Sequence, residues 1–410
     1  MTGIRPQVGL ACTAEVREQY IDDADLERLE KFADFHWQEF EEETSWDAAP
    51  EASDEVRKKF VKFTAGLDAL VVCHGSPRVD EAVLASSVRL KLVGELEGDR
   101  FAQRIDVEAA IDRGVRAVDT THGSSYPVSE WALGMMLIGL RSAGAHFRRL
   151  AAGELWGTPD QRNSAPEFAH NEELTGKTVG LIGAGYIGRR LIELLKPFDV
   201  KILAHDPYIP SELASSLGFT LTSLDKVLSE PDVVVCLAPL TPRTRGMLGK
   251  REVSRFKPGT VFVNVSRGPI VDSEALIERL EAGDITACLD VFDPEPIPVD
   301  SRIRELPNVF LSPHIAGTTQ RSRTRFFEEM VNELERHFSG HETLHNLTAQ
   351  TLANRRGEQR SQQRGGLHGC ADDLPRRFRG QRPGKISRMV HRSARASGRT
   401  GYPGRPGNRQ

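Results

Sequence analysis

The sequence predicts an α/β protein built on two parallel sheets, the second of them doubly wound. Three observations predict this. Short apolar runs alternate with segments of helical period from Val8 to Asp119. The alternation restarts, with stronger apolar runs, from Lys177 to His314. A long, mostly apolar segment beginning at Pro127 separates the two series. A chain of 410 residues, 39% hydrophobic and 27% charged, has room for two or three domains with ordinary cores.

In the first series Val8–Cys12 is an apolar run and Asp25–Phe35 has helical period. Ala69–Cys73 reads as a buried strand, with a turn at His74-Gly75-Ser76-Pro77. Val79–Ala85 reads as helix, Leu90–Gly94 as strand, Val107–Arg113 as helix and Arg116–Asp119 as strand, a small parallel α/β domain. From Pro127 to about Ala152 the pattern is one long helix, with Pro near its start and Glu130 in the first turn. Its apolar residues lie on more than one side, which suits a bridge between domains or a dimer interface. The second series offers six strands: Thr178–Ile182, Lys201–His205, Val233–Ala238, Val261–Val265, Ala287–Val291 and Val309–Ser312. Arg321–Phe338 is a last helix, expected to return to the first domain and make it discontinuous. The expected boundaries are 1–123 and 318–356 for the first domain, 124–317 for the second, and 357–410 for a disordered basic tail.

From Ala349 onward there are 15 Lys/Arg against three Asp/Glu, in a segment rich in Arg, Gly, Gln and Ser without hydrophobic period. Such a tail could touch nucleic acid, but it lacks interleaved aromatics to stack on bases, so a nucleic-acid partner is not expected. The net charge of −4 points to no partner. The longest apolar run, Trp131 to Leu140, is well short of the ~20 residues that span a bilayer. The N-terminus has no apolar run of the signal-peptide kind. The five cysteines, Cys12, Cys73, Cys236, Cys288 and Cys370, are dispersed, without metal-ligand spacing. A cytoplasmic protein without a disulfide framework or a metal is expected.

The sharpest motif is Gly183-Ala184-Gly185-Tyr186-Ile187-Gly188. It follows the strand Thr178–Ile182 and opens the helix Ile187–Leu195, the context of a dinucleotide-binding, Rossmann-type sheet. Gly183 permits the tight turn, Gly185 lets the backbone approach a pyrophosphate, and Gly188 lets helix and strand pack closely. The helix N-terminus favours the anion. The next strand ends at Asp206, placed to bond a ribose 2′-OH and to repel a 2′-phosphate, so the expected cofactor is NAD rather than NADP.

Three further motifs lie at strand ends, where open α/β sheets bind ligands. They are Asn264-Val265-Ser266-Arg267-Gly268, the stretch from Leu289 through Asp290 and Glu295 to Pro296, and Ser312-Pro313-His314-Ile315-Ala316-Gly317. Together they supply what oxidation of a 2-hydroxy acid requires. The Arg267 guanidinium can hold a carboxylate bidentately. The His314 imidazole can take the hydroxyl proton and return it in reverse. The Glu295 carboxylate can bond the imidazole and fix its tautomer.

In this order the motifs resemble those of the D-isomer-specific 2-hydroxyacid dehydrogenases, over the chain from about Ala69 to about Gly357. The resemblance implies a Rossmann-type NAD domain and a smaller, discontinuous, flavodoxin-like substrate domain, with dimerisation through the NAD domain. It implies that Arg267 binds substrate, that Glu295 pairs with the acid/base His314, and that Asp290 lies near the nicotinamide carboxamide. Val128-Ser129-Glu130 resembles the family's V-A-E helix start. Gly75 and Ser76 fall where the family's loop offers backbone N–H groups to the substrate carboxylate. Pro239, Leu240 and Thr241 fall at the strand end facing the cofactor riboses. The candidate cofactor set is thus Gly183, Gly185, Tyr186, Ile187, Gly188, Asp206, Pro239, Thr241, Val265, Asp290 and Gly317.

The departures are local. The family's G-x-G-x-D-x-I-D stretch is here Gly94 to Asp106, with Glu95 and Glu97 inside it. That altered loop near Glu95–Asp99, with Cys73, His74 and residues of a partner subunit, is expected to line the side-chain pocket. The segment before Ala69 matches loosely, and the tail has no family counterpart and no βαββαβ regulatory pattern. A non-enzymatic NAD-sensing protein of the corepressor kind is the alternative on the same fold. A formate dehydrogenase is a weaker one, because that subfamily carries Gln where this chain has Glu295.

Overall fold

The computed structural model describes residues 5–43, 49–97, 104–154 and 171–355. In chain order the first sheet and its helices are β1 (Gln7–Cys12), α1 (Ala14–Tyr20), α2 (Asp23–Glu30), β2 (Asp34–Glu39), α3 (Asp54–Thr64), β3 (Ala69–Val72), α4 (Glu81–Ser86), β4 (Leu92–Glu95), α5 (Val107–Asp112) and β5 (Arg116–Asp119). Two helices follow, α6 (Ser125–Leu140) and α7 (Ala143–Ala151). The second sheet is carried by β6 (Thr178–Ile182), α8 (Tyr186–Leu195), β7 (Lys201–His205), α9 (Ser211–Leu217), β8 (Thr220–Leu221), α10 (Leu224–Ser229), β9 (Val233–Cys236), α11 (Lys250–Val253), β10 (Val261–Asn264), α12 (Ser273–Glu281), β11 (Thr286–Leu289) and β12 (Val309–Leu311). The helices α13 (Gln320–Phe338) and α14 (Ala349–Arg355) close the described chain.

The first sheet runs β2-β1-β3-β4-β5, the flavodoxin-like order, and the second runs β12-β11-β10-β9-β6-β7-β8, the Rossmann order with one extra strand. Every strand pair is parallel. In both sheets the central strands are buried on both faces, which is why β3 and β9 read as unbroken apolar runs and β10 as one up to its terminal Asn264. The order of the second sheet reverses between β6 and β9, so the chain leaves their carboxyl ends in opposite directions and opens a crevice there.

Four expectations are corrected. The helical pattern through Phe35 ends at Glu30, and Asp34–Glu39 is instead an edge strand paired with β1. Its side chains are only partly buried, so it lacks the apolar run that marks the inner strands. The second sheet has a seventh strand, β8, whose two residues are too few to leave a pattern. The long helix is two: Ser142 has a φ of 48°, and the Leu140 carbonyl accepts from Glu172 N–H at 2.8 Å instead of continuing the helix. The break lets α7 lie beside β12, where Arg148 donates to the carbonyls of Leu306, Pro307 and Val309. Finally, Ala349–Arg355 is helical, with Leu352 buried against the α5 side of the first sheet. The basic segment 357–410 lies outside the described residues.

The return helix α13 is held to the first sheet by a stripe of buried residues, Phe326, Phe327, Met330, Val331 and Leu334, packed on Val8, Leu10 and Leu92. Buried Phe side chains of this kind are worth about 3 kcal/mol or more each when truncated. This packing brings the first turn of α13 to the rim of the crevice. Among the described residues no helix is long and apolar enough to cross a membrane.

Candidate active site

Arg267 is presented by a turn that its own neighbours shape. Strand β10 ends at the buried Asn264, whose side chain accepts from Ser266 N–H at 3.1 Å and donates to the Arg267 carbonyl at 3.2 Å. The Ser266 hydroxyl is tied to the Ala238 carbonyl. Residue 268 must be glycine, because a Cβ there would lie 1.7 Å from the Phe292 carbonyl oxygen. The loop after β10 is therefore pressed flat against the loop after β11, and the Arg267 side chain is directed into the cleft with Nη1 donating to the Ser266 carbonyl at 2.7 Å.

The histidine is presented by a strained turn. His314 has a φ of 54°, a left-handed conformation that costs a non-glycine residue about 1 kcal/mol. Asp290, fully buried, holds it there. Its carboxylate accepts from Ser312 Oγ at 2.5 Å, from Ile315 N–H at 3.1 Å and from Ala316 N–H at 2.9 Å, and its carbonyl accepts from His314 N–H at 2.9 Å. Glu295 then meets the imidazole, with Oε1 2.5 Å from Nδ1. A carboxylate on Nδ1 assigns that nitrogen its proton, so Nε2 is the nitrogen whose protonation changes. The Glu295 loop contains two cis peptide bonds, Asp293-Pro294 and Glu295-Pro296.

The cofactor cradle follows the same logic. Gly183 has a φ of 98°, and its N–H donates to the His205 carbonyl. A Cβ on Gly188 would lie 2.9 Å from the Gly183 oxygen, so strand and helix are in contact there. A Cβ on Gly185 would meet nothing within 4 Å. The backbone at Gly185 therefore faces open space at the start of α8, where no side chain caps the helix. An open, uncapped helix start above a tight glycine turn fits a pyrophosphate. Asp206 stands beside this loop and braces it, accepting from Ala184 N–H and Tyr208 N–H at 2.9 Å each.

One cleft of about 360 Å³ collects Arg267, His314, Val265, Ile187 and Gly317 from the second sheet. The opposite wall comes from the first sheet and α13: Tyr20, His74, Glu97, Thr121, Ser124 and Arg323. Other expected residues lie elsewhere. Asp290 is behind the histidine turn rather than on the cleft surface. The Thr241 hydroxyl is engaged in its own turn, accepting from the N–H groups of Arg243 and Thr244, while Pro239 receives the Thr244 hydroxyl. Ser76 is fully buried, its N–H spent on the Cys73 carbonyl and its hydroxyl on Pro77, and the Gly75 carbonyl accepts from Glu42. Cys73 is also fully buried and does not line the cleft, contrary to expectation; burial pushes its thiol well up. Of the altered loop, Glu95 points inward to Arg104 at 2.6 Å and only Glu97 reaches the cleft, while residues 98–103 lie outside the described residues.

Tyr20, Thr121, Ser124 and Arg323 escaped the sequence reading. They belong to no motif and are brought together only by the return of α13. The same return stacks His345 on His122, centroids 3.6 Å apart, with Tyr186 beside them. With Glu329 these two imidazoles place potential ligand atoms within 4.8 Å of one another. Their planes are only 24° apart, however, so the in-plane lone pairs do not converge on one ion. The stack is a packing contact between the return segment and the glycine loop.

Residues 133–316 match the family model described as the NAD binding domain of D-isomer specific 2-hydroxyacid dehydrogenase. The chain is 35% identical over 258 residues to a D-3-phosphoglycerate dehydrogenase of Methanocaldococcus jannaschii, covering 62% of this chain and 47% of that protein. It is 35% identical over 260 residues to a mitochondrial formate dehydrogenase of Solanum tuberosum, covering 62% of this chain and 65% of that protein. It thus spans about half to two thirds of the length of these curated relatives. A phosphoglycerate oxidoreductase from Rhizobium etli shares the fold with a TM-score of 0.69 at 22% identity, over 85% of this chain and all of that one.

Proposed function

We infer that this chain, which belongs to the D-isomer specific 2-hydroxyacid dehydrogenase family through its NAD-binding residues 133–316, interconverts a small 2-hydroxy acid and its 2-oxo acid. The observation that carries the reading is the His314–Glu295 pair at 2.5 Å in one cleft with Arg267, next to the open glycine turn. Bound NAD(H) supplies the acceptor or donor of the hydride at C2. Arg267 holds the substrate carboxylate through its planar fork. His314 exchanges the proton on the C2 oxygen through Nε2, taking it during oxidation and giving it during reduction. Glu295 keeps the ring oriented and stabilises the imidazolium formed after proton uptake. Asp290 acts on substrate only through His314, by fixing the turn. The glycine turn and the first residues of α8 hold the pyrophosphate, with Asp206 toward the ribose, and Val265 and Gly317 line the nicotinamide side.

The named relatives are dehydrogenases, which supports this reading over a purely sensing protein. A homodimer is part of the proposal: α6 and α7 expose Leu137, Phe147 and Leu150, an apolar face suited to a second copy. The described cysteines are buried free thiols, in keeping with a reducing, cytoplasmic setting. The test is NADH oxidation, followed by absorbance, with glyoxylate, hydroxypyruvate, pyruvate, phenylpyruvate and 2-oxoglutarate. Turnover with one of them that is lost in His314→Ala supports the assignment. NADH binding without turnover on any of them overturns it.

A further inference from the structure

The wall of the cleft opposite His314 carries a second carboxylate–imidazole pair, Glu97 and His74, that the proposed chemistry does not use. Its geometry fixes every proton. Arg104 is buried, donates from Nη1 to Glu95 at 2.6 Å and to the Glu97 carbonyl at 2.9 Å, and reaches His74 Nδ1 with Nη2 at 2.9 Å. A guanidinium can only donate, so His74 Nδ1 accepts, and the ring proton of the neutral imidazole sits on Nε2. That Nε2 faces Glu97 Oε2 at 3.4 Å, and the Tyr20 hydroxyl donates to the same oxygen. Among the described residues no donor is assigned to Oε1. Burial opposes ionisation of Glu97, but the hydrogen bonds from His74 and Tyr20 and the charge of Arg104 outweigh it and hold the carboxyl below its usual range. The wall therefore presents a fixed anion to whatever part of the substrate points away from Arg267.

We propose that Glu97 selects the distal group of the substrate: it accepts a hydrogen bond from a donor such as a hydroxyl and excludes a phosphate or a second carboxylate. This rests on the reading of the cleft as a 2-oxo acid site. Like charges confined in a partly desolvated cleft repel strongly, whereas a hydroxyl meets an oriented acceptor at no ordering cost. Among the described residues that line the cleft, the cation besides Arg267 that could reverse the preference is Arg323, on the first turn of α13. Its guanidinium is engaged with Gln19 at 2.5 Å rather than with Glu97.

Hydroxypyruvate and 3-phosphohydroxypyruvate differ only by the phosphate, so their ratio of kcat/KM with NADH reads the subsite directly. The full chain should favour hydroxypyruvate at least tenfold. Glu97→Gln keeps the shape, removes the charge, and should shrink that ratio by about tenfold or more, whereas Glu97→Asp should retain the preference. If Glu97→Gln does not fold, the wild-type ratio must still narrow from low to high salt as the repulsion is screened. A wild-type preference for the phosphorylated compound overturns the proposal, and its loss in Arg323→Gln would assign the distal site to that arginine. A ratio unmoved by Glu97→Gln, or by salt where that variant does not fold, also overturns it. Reduction of neither compound does so too; if the other 2-oxo acids are reduced, the dehydrogenase reading stands, and if all are inert it falls as well.

Discussion

Two histidines face one cleft, each bonded to a glutamate, and they are built for different work. His314 meets Glu295 through Nδ1, so its protonation changes at Nε2. His74 meets Glu97 through Nε2 and Arg104 through Nδ1, so both of its nitrogens are engaged by protein. An imidazole whose Nδ1 proton is held by a carboxylate is an oriented acid/base; one whose Nδ1 lone pair is taken by a guanidinium is a strut. The difference lies in the third partner. An arginine behind His74 removes the lone pair that a base would need, whereas the buried Asp290 behind His314 bonds, among the described residues, to backbone and Ser312.

The strongest way to break this comparison is to remove each ring in turn. His314→Ala should lower kcat by ~10²–10⁴-fold while NADH still binds. His74→Ala removes hydrogen bonds worth about 1 kcal/mol each, and its effect should fall mainly on KM, roughly fivefold. Comparable losses of kcat in both variants would mean that His74 also moves a proton. A second route goes through the support rather than the ring. Asp290→Asn keeps one acceptor oxygen but turns an NH₂ toward either Ala316 N–H or the Ser312 and Ile315 donors. Burying such a mismatch should cost about 3 kcal/mol in urea unfolding and lower kcat, since the side-chain bonds that brace the turn holding His314 at a φ of 54° are then mispaired. Full stability in that variant would show that the turn does not depend on the carboxylate.

The two walls also differ in how far the sequence discloses them. Arg267, Glu295 and His314 sit in short motifs at the ends of strands with strong apolar runs, and a parallel sheet brings all its strand ends to one edge. Local pattern is therefore enough to place them together. The opposite wall has no such rule. Arg323 comes from a helix that crosses back from the second sheet, and Tyr20 from a short helix in a stretch with little pattern. Glu97 was visible as a departure within the loop from Gly94, but its direction depends on Arg104, seven residues on and buried. Side-chain roles were less legible than positions. Asp290 and Thr241 stand at their expected strand ends, yet they spend their oxygens on the protein's own turns, because a buried acceptor near unpaired N–H groups is first claimed by them.

A third imidazole sharpens the comparison with a smaller effect. His122 has no carboxylate on its ring, and its buried Nδ1 has no hydrogen-bond partner among the described residues. Burial, reinforced by the His345 charge and only partly offset by Asp119, pulls it down to about 4. The sign follows from linkage. Below about 6.5 the unfolded chain takes up a proton that folded His122 refuses, so stability is lost as the pH falls from about 6.5 toward about 4 and is level above that window. His337, held low by burial and by Arg116, contributes in the same direction, so the test is a difference between two proteins. The Tm of the wild type should fall further between pH 6.5 and 4.5 than that of His122→Asn, by about 3 °C. Parallel curves would mean that the stacked pair opens to water without cost, and that the contact it makes between the return segment and the glycine loop contributes no acid sensitivity.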